Sequence, residues 1–215
     1  MSCLHCCGAN QLFDEKSAKK ELKRYLNKGV KGPTKRLTDA FKKLNLNGLS
    51  LLDIGGGIGT ISLELIPYGI SKVVSIDASS GYLNSAKSEA EKRHYTFINY
   101  HLGDFVAESE QIELHDIVTL DKVLCCYPYV DELLKTSLSK TAKYYALVYP
   151  QTHWMAHLSA MFVNLRMKIQ RNPFRTFIHS SKLIESAIKD AGFSKIYTDR
   201  IGVSWQVHIY KKEFK

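Results

Sequence analysis

The sequence predicts an α/β fold: a mostly parallel sheet, buried on both faces, with helices packed on each side. Three observations carry that expectation. Across residues 49–77 an apolar run, a cluster of glycines, an amphipathic stretch, a turn and a second apolar run ending on an acid follow one another, which is the layout of a βαβ unit. Further apolar runs of strand length then alternate with helical patterns almost to the last residue. The 215-residue chain, 45% hydrophobic and 24% charged, holds enough apolar material for one core. No apolar run reaches the roughly 18 residues of a membrane span.

Residues 49–54 are short and apolar between Gly48 and Gly55, as a strand covered on both faces would be. The chain must then turn sharply. Gly55, Gly57 and Gly59 allow positive φ at little steric cost and, lacking Cβ atoms, let the backbone come close to a ligand. A helix over 58–66 would aim its free N–H groups at that ligand and favour a carboxylate there, and Pro67 and Gly69 end it. Residues 73–76 read as the second strand. Asp77 closes it at the carboxyl edge of the sheet, where open α/β folds bind ligands, and a carboxylate there can accept from both hydroxyls of a ribose. The dinucleotide fingerprint G-x-G-x-x-G, counted from Gly55, requires a glycine where Thr60 stands. The pattern is instead acid-x-G-x-G-x-G, from Asp53 to Gly59.

That pattern resembles motif I of the class I S-adenosylmethionine (SAM) dependent methyltransferases, and Asp77 stands where the family has its ribose-binding acid. The resemblance runs over about 49–210. It implies a Rossmann-like three-layer α/β/α sandwich with a seven-stranded, mostly parallel sheet in the order 3-2-1-4-5-7-6, strand 7 antiparallel. It also implies SAM as cofactor, with Asp53, Gly55, Gly57, Gly59 and Asp77 among the residues that bind it. SAM suits the chemistry, since it carries a carboxylate, a ribose and an adenine but no phosphate.

Ser79 and Ser80 can cap a helix over 81–93, and 96–101 alternates as a third strand. After that strand the family has an acid that accepts from the adenine amino group and an apolar neighbour that covers the ring. Asp104 and Phe105 match those roles, the alternative being a loop acid and a core phenylalanine. Residues 116–120 are the fourth strand, followed by D-K-V-L-C-C-Y-P. In the family this segment faces the methionine part of SAM and the acceptor, which makes Asp121 a cofactor contact. The N-P-P-Y or D-P-P-Y of base N-methyltransferases does not match Asp121-Lys122-Val123-Leu124, and Tyr127-Pro128 comes too late to restore it. A helix over 131–139 and a strand over 144–149, ended by Pro150, come next. The sheet finishes with a helix over 181–191 and strands over 194–200 and 203–210, joined near Gly202. A hydroxyl acceptor benefits from a base within reach. Asp121, His153, His157 and Tyr127 follow the fourth and fifth strands, and Asp121 and His153 are the first choices as catalytic groups.

Two segments lie outside this core: a basic helical extension, 1–47, and a helical insertion at about 151–179 within the SAM-binding domain, 48–215. The insertion carries Trp154, Leu158, Met161, Phe162 and Leu165 on a helix over 153–170 and reads as a lid or acceptor pocket, with packing on the core or on a second subunit as alternatives. The extension holds much of an excess of 30 Lys and Arg over 21 acids, a formal charge of +9. Such a face is solvated, or meets RNA or acidic lipid. A helix over 13–26 is followed by a second that Thr34 can cap. By placement, Tyr25, Lys28 and Lys35 are candidates for the methionine carboxylate. Cys3, His5, Cys6 and Cys7 form a thiol-rich tip with no second C-x-x-C, so a mobile end is expected and no metal site. The start lacks a signal-peptide layout, so a cytoplasmic location with reduced cysteines is expected. The expected activity is methyl transfer to a small, apolar or amphipathic acceptor; the loop after strand four and the insertion lean toward the small-molecule branch. The alternatives are an RNA methyltransferase or RNA-binding protein using the basic extension, a non-catalytic scaffold, and a metalloid methyltransferase using Cys3, Cys6, Cys7, Cys125 and Cys126.

Overall fold

The computed structural model describes residues 4–213. Strands β1 (Ser50–Ile54), β2 (Lys72–Asp77), β3 (Ile98–Leu102), β4 (His115–Asp121), β5 (Thr141–Pro150), β6 (Phe193–Ile201) and β7 (Trp205–Lys212) form one sheet in the order β3-β2-β1-β4-β5-β7-β6. The first five pair in parallel, and β7 runs antiparallel between β5 and β6. This is the expected seven-stranded Rossmann-like sheet. Successive residues of β1 serve opposite faces, as strand geometry requires. Leu51 joins Val73, Ile117, Ala146 and Val207 on one side, and Leu52 joins Val74, Val118, Tyr145 and Leu147 on the other. Helices α3 (Gly32–Phe41) and α4 (Thr60–Leu65) cover the first side through Leu37, Phe41, Ile61 and Leu65. Helices α7 (Val130–Ser139) and α9 (Ser181–Asp190) cover the second through Leu133, Leu134, Leu138, Ile184 and Ile188.

The N-terminal segment holds one helix more than expected, ahead of the one expected over 13–26. It forms α1 (Leu4–Leu12) and α2 (Glu15–Lys28), because Asp14 is extended and its carboxylate accepts from Ser17 N, starting a new helix. Cys6 and Cys7 therefore sit on a helix and not on a mobile tip; Cys3 and the side chain of His5 lie outside the described residues. Thr34 does not cap α3. Lys31 is its N-cap and Pro33 occupies its first turn, so Thr34 lies within the helix with its hydroxyl spent elsewhere. The first crossover helix, α4, also starts later than expected, since Gly57 and Gly59 keep left-handed backbone up to its cap.

Because Leu37 is fully buried in the core that β1 and β4 share, Leu37→Ala should cost the whole domain about 2–5 kcal/mol. Urea denaturation should show a single transition at a lower midpoint. A transition left unmoved would mean that residues 1–47 fold apart from the sheet.

Candidate functional site

The carboxyl edge of the sheet is built around the turn that leaves β1. Gly55, Gly57 and Gly59 have φ of 64°, 57° and 78°, where other residues are strained. Gly56 is needed for a different reason: a Cβ there would collide with Ser75 Oγ and come within 3.0 Å of Asp53 Oδ2. The turn is held to the end of β2, with Gly55 N donating to Ile76 O at 2.8 Å and Gly57 N to Asp77 Oδ2 at 2.9 Å. Asp77 Oδ1 accepts from Ser79 N at 2.8 Å. Each carboxylate oxygen thus keeps a lone pair for a further donor.

A cavity of about 300 Å³ opens over this edge. Its floor includes Gly55, Gly56, Gly57, Asp77 and, after β3, Asp104 and Phe105. Asp104 caps the short helix α6 (Phe105–Glu108) through Val106 N, and Tyr127 Oη donates to both its oxygens at 2.9 and 3.1 Å. At the end of β4, Asp121 Oδ2 accepts from Thr34 Oγ1 at 2.6 Å, while Asp121 Oδ1 is buried with no hydrogen-bond partner among the described residues. Lys122 follows with a left-handed φ of 64°, rare for a residue with a Cβ. Its Nζ donates to Thr34 Oγ1 at 2.7 Å and lies 3.5 Å from Asp121 Oδ2.

The roof comes from two segments that the sheet does not need, the N-terminal extension and the insertion between β5 and α9. Cys6, Ala9 and Phe13 line the cavity from α1 and the turn after it, and Phe174 lines it from the segment that follows helix α8 (Trp154–Ile169). These parts are stitched together. Ser79 Oγ donates to Phe13 O at 2.5 Å, and Asn172 Nδ2 donates to Gly8 O at 3.2 Å. A Cβ on Gly8 would collide with Phe174 N. Phe13 packs edge-on against both Tyr82 and Phe174.

The cavity is acidic, with Glu21, Asp53, Asp77, Asp104 and Asp121 facing Lys122 as the cation among its lining residues. Burial pushes the Asp53 carboxyl up to about 7; the Thr119 hydroxyl, 2.6 Å away, opposes this, and the charges of Asp121 and Asp77 add to it. Asp77 is also raised by burial, against the pull of the N–H groups of Ser79, Gly57 and Ala78.

The structure brings together Asp53, Gly55, Gly57, Asp77, Asp104, Phe105 and Asp121. Gly59 stands behind them as the N-cap of α4. His153 is not brought there: it caps α8, with Nδ1 accepting from Met155 N, and does not line the cavity. His157 is exposed on the same helix. Tyr25 donates to Glu64 at 2.9 Å, Lys35 pairs with Asp39 and Lys28 is exposed, so none of the three reaches the cavity. Sequence reasoning missed Gly56, Lys122, Phe13 and Phe174. A third consecutive glycine was the available sign for Gly56; the others depend on contacts between distant segments.

Residues 45–194 match the family described as methyltransferase domain. None of the curated proteins matches the chain. Among solved structures the chain is similar to magnesium protoporphyrin IX methyltransferase (ChlM) from Synechocystis PCC 6803 with bound SAH, at 18% identity and a TM-score of 0.73 over 97% of this chain and 100% of that one. It is also similar to an O-methyltransferase family 2 protein from Planctomyces limnophilus in complex with apigenin, at 18% identity and 0.66 over 93% of this chain and 62% of that one. A chain of the complex between the Haloferax volcanii Trm112 methyltransferase activator and a methyltransferase matches at 13% identity and 0.68 over 94% and 95%. At these identities the likeness is one of fold.

Two outcomes follow from the geometry around Asp53. Since its carboxyl is raised to about 7 in the fold, its contribution to stability is present at about pH 4 and is lost as pH rises through about 7. Asp53→Asn keeps an acceptor for Thr119 and should remove that part of the slope. Melting curves from pH 4 to 8 in which variant and protein run parallel would contradict this. Gly56→Ala, forced against Ser75 and Asp53, should cost about 1–3 kcal/mol by overpacking and weaken SAM binding in calorimetry; unchanged values for both would show that the turn has room.

Proposed function

The chain belongs to the methyltransferase domain family and is a SAM-dependent methyltransferase, and we propose that its acceptor is a small, apolar or amphipathic molecule. The observation that carries this reading is the roof. Cys6, Ala9, Phe13 and Phe174 set apolar and aromatic side chains over the floor that SAM would occupy, so an acceptor meets SAM beside an apolar roof, which suits a small apolar molecule and not a base within a folded nucleic acid. The segment after β4, Asp121-Lys122-Val123-Leu124, points the same way, having no N-P-P-Y or D-P-P-Y.

SAM supplies a methyl group on a positively charged sulfur, and its transfer is an in-line displacement that depends on positioning. The excess of carboxylates favours that positive charge. Asp77 takes the ribose hydroxyls with the lone pairs that Gly57 and Ser79 leave unused. Asp104 and Phe105 take the adenine edge and face. Lys122 is the cation within the cavity that can meet the methionine carboxylate, in place of Tyr25, Lys28 or Lys35. Asp121 is the base: it lines the cavity, and Thr34 and Lys122 orient its carboxylate through Oδ2. His153 is set aside by its place on α8.

The rival readings gain less. Lys19, Arg24, Lys35, Arg36 and Lys42 of the extension pair with Glu15, Glu21, Asp39, Asp199 and Glu64, which engages five of its eleven lysines and arginines. Among the described residues no group of three or more His, Cys, Asp or Glu could hold a metal ion, so the metalloid reading gains no support from them. A cytoplasmic location with reduced cysteines belongs to the same proposal.

The test is transfer of labelled methyl from SAM into cell extracts separated into organic-soluble, aqueous small-molecule and RNA fractions. Label should enter the organic-soluble fraction; label in RNA alone would overturn the acceptor class. With an acceptor in hand, Asp77→Ala should weaken SAM binding at least about tenfold, and Asp121→Ala should lower kcat by roughly 10²–10⁴.

A further inference from the structure

Half of the large hydrophobic residues exposed among the described residues stand on one helix, α8. Trp154, Leu158, Met161, Phe162, Leu165 and Ile169 recur at helical spacing and fall within a stripe about 120° wide. Trp154 is 67% exposed, Phe162 61% and Ile169 74%. The opposite side of the same helix is already used: Ala160 and Met167 are buried, and Met167 packs with Ala9 and Phe174 behind the cavity roof. The protein therefore holds α8 by its inner face and leaves a second apolar face in water.

The charges beside this face are of one sign. Arg166 and Lys168 flank the stripe and Arg171 follows it, all three exposed and with no carboxylate partner among the described residues. Residues 133–184 contain neither Asp nor Glu. Trp, Phe and Leu on one face with Lys and Arg at its borders is the make-up of a helix that lies in a membrane interface against anionic headgroups. A second copy is the poorer occupant, since a two-fold contact through α8 would bring no carboxylate from residues 133–184 to Arg166, Lys168 and Arg171.

We propose that α8 docks this enzyme on an anionic lipid surface and that its methyl acceptor is an amphiphile dissolved in that membrane. This rests on the small amphipathic acceptor proposed above. Docking is reversible and peripheral, as no helix among the described residues is long and apolar enough to cross a bilayer. The chain runs from the C-terminal end of α8 straight into Phe174, so the bound surface lies next to the cavity roof.

The test is sedimentation of the full chain with phosphatidylcholine vesicles made with and without phosphatidylglycerol. Phosphatidylglycerol should tighten binding at least about tenfold at low salt, the gain should shrink as salt is raised, and the emission of Trp154 should shift to the blue. Phe162→Glu combined with Leu165→Glu, both on the exposed stripe, should weaken vesicle binding about tenfold or more while leaving the affinity for S-adenosylhomocysteine unchanged. Three outcomes would overturn the proposal: no binding to either vesicle, equal binding by protein and variant, or a dimer formed without lipid that shields Trp154. Vesicle binding involves no methyl transfer, so its failure leaves SAM chemistry and the extract assay standing, and failure of the extract assay leaves a measured membrane affinity in place.

Discussion

The Asp77 carboxylate is the join on which the site depends. One oxygen holds Gly57 of the turn after β1, and the other holds Ser79 at the start of helix α5 (Ser80–Lys92). Ser79 in turn caps α5 through Tyr82 N and donates its hydroxyl to Phe13 O in the roof. One partly buried acid thus ties the glycine turn, the second strand, the helix after it and the N-terminal segment together. A buried carboxylate is costly unless hydrogen-bonded, and here the backbone donors that meet that cost also orient the group toward the cavity. Removing the carboxylate would leave two N–H groups without a partner and loosen floor and roof at once.

The roof shows why the extension and the insertion belong to one device. Neither is needed to complete the sheet, yet Gly8 of α1 accepts Phe174 at a distance that no side chain would permit. Phe177 N donates to Cys125 O at 2.8 Å, which anchors the strap after α8 to the segment that carries Asp121 and Lys122. Any shift of α8 therefore passes through Phe174 to α1 and through Phe177 to the loop after β4. The hydrogen bonds across these joins are few beside the packing of the sheet, so the roof can open at lower cost than the core.

The strands and the positions of Gly55, Gly57, Gly59 and Asp77 were legible because they follow from local chemistry: strand periodicity, a turn that demands positive φ, and an acid at a strand end; the order of the strands came only with the family resemblance that those residues carry. What escaped the sequence lies in contacts between distant residues. Thr34 looks like a helix cap, and only the fold shows its hydroxyl on Asp121, 87 residues away. Gly56 matters because Ser75 of the neighbouring strand lies beneath it. Lys122 gives no sign of its left-handed backbone, which the fold imposes by holding Lys122 N on Val148 O at 2.8 Å. His153 fails for a related reason. Following strand five placed it near the acceptor, but the residue after a strand can also be the residue before a helix, and capping α8 turned it away.

The charge of the cavity carries one further consequence for turnover. Five acidic residues and one lysine line it, and burial already holds Asp53 and Asp77 above the ordinary carboxylate range. A ligand bearing a positive sulfur relieves that strain by favouring the ionised carboxylates, so it binds with an electrostatic advantage. Methyl transfer removes the charge from sulfur. The product remaining in the cavity is a neutral thioether among the same carboxylates, and the advantage is gone at the moment the reaction is complete. The acids that draw the reactant in are therefore also the groups that favour exchange of product for fresh reactant, without any movement of the floor.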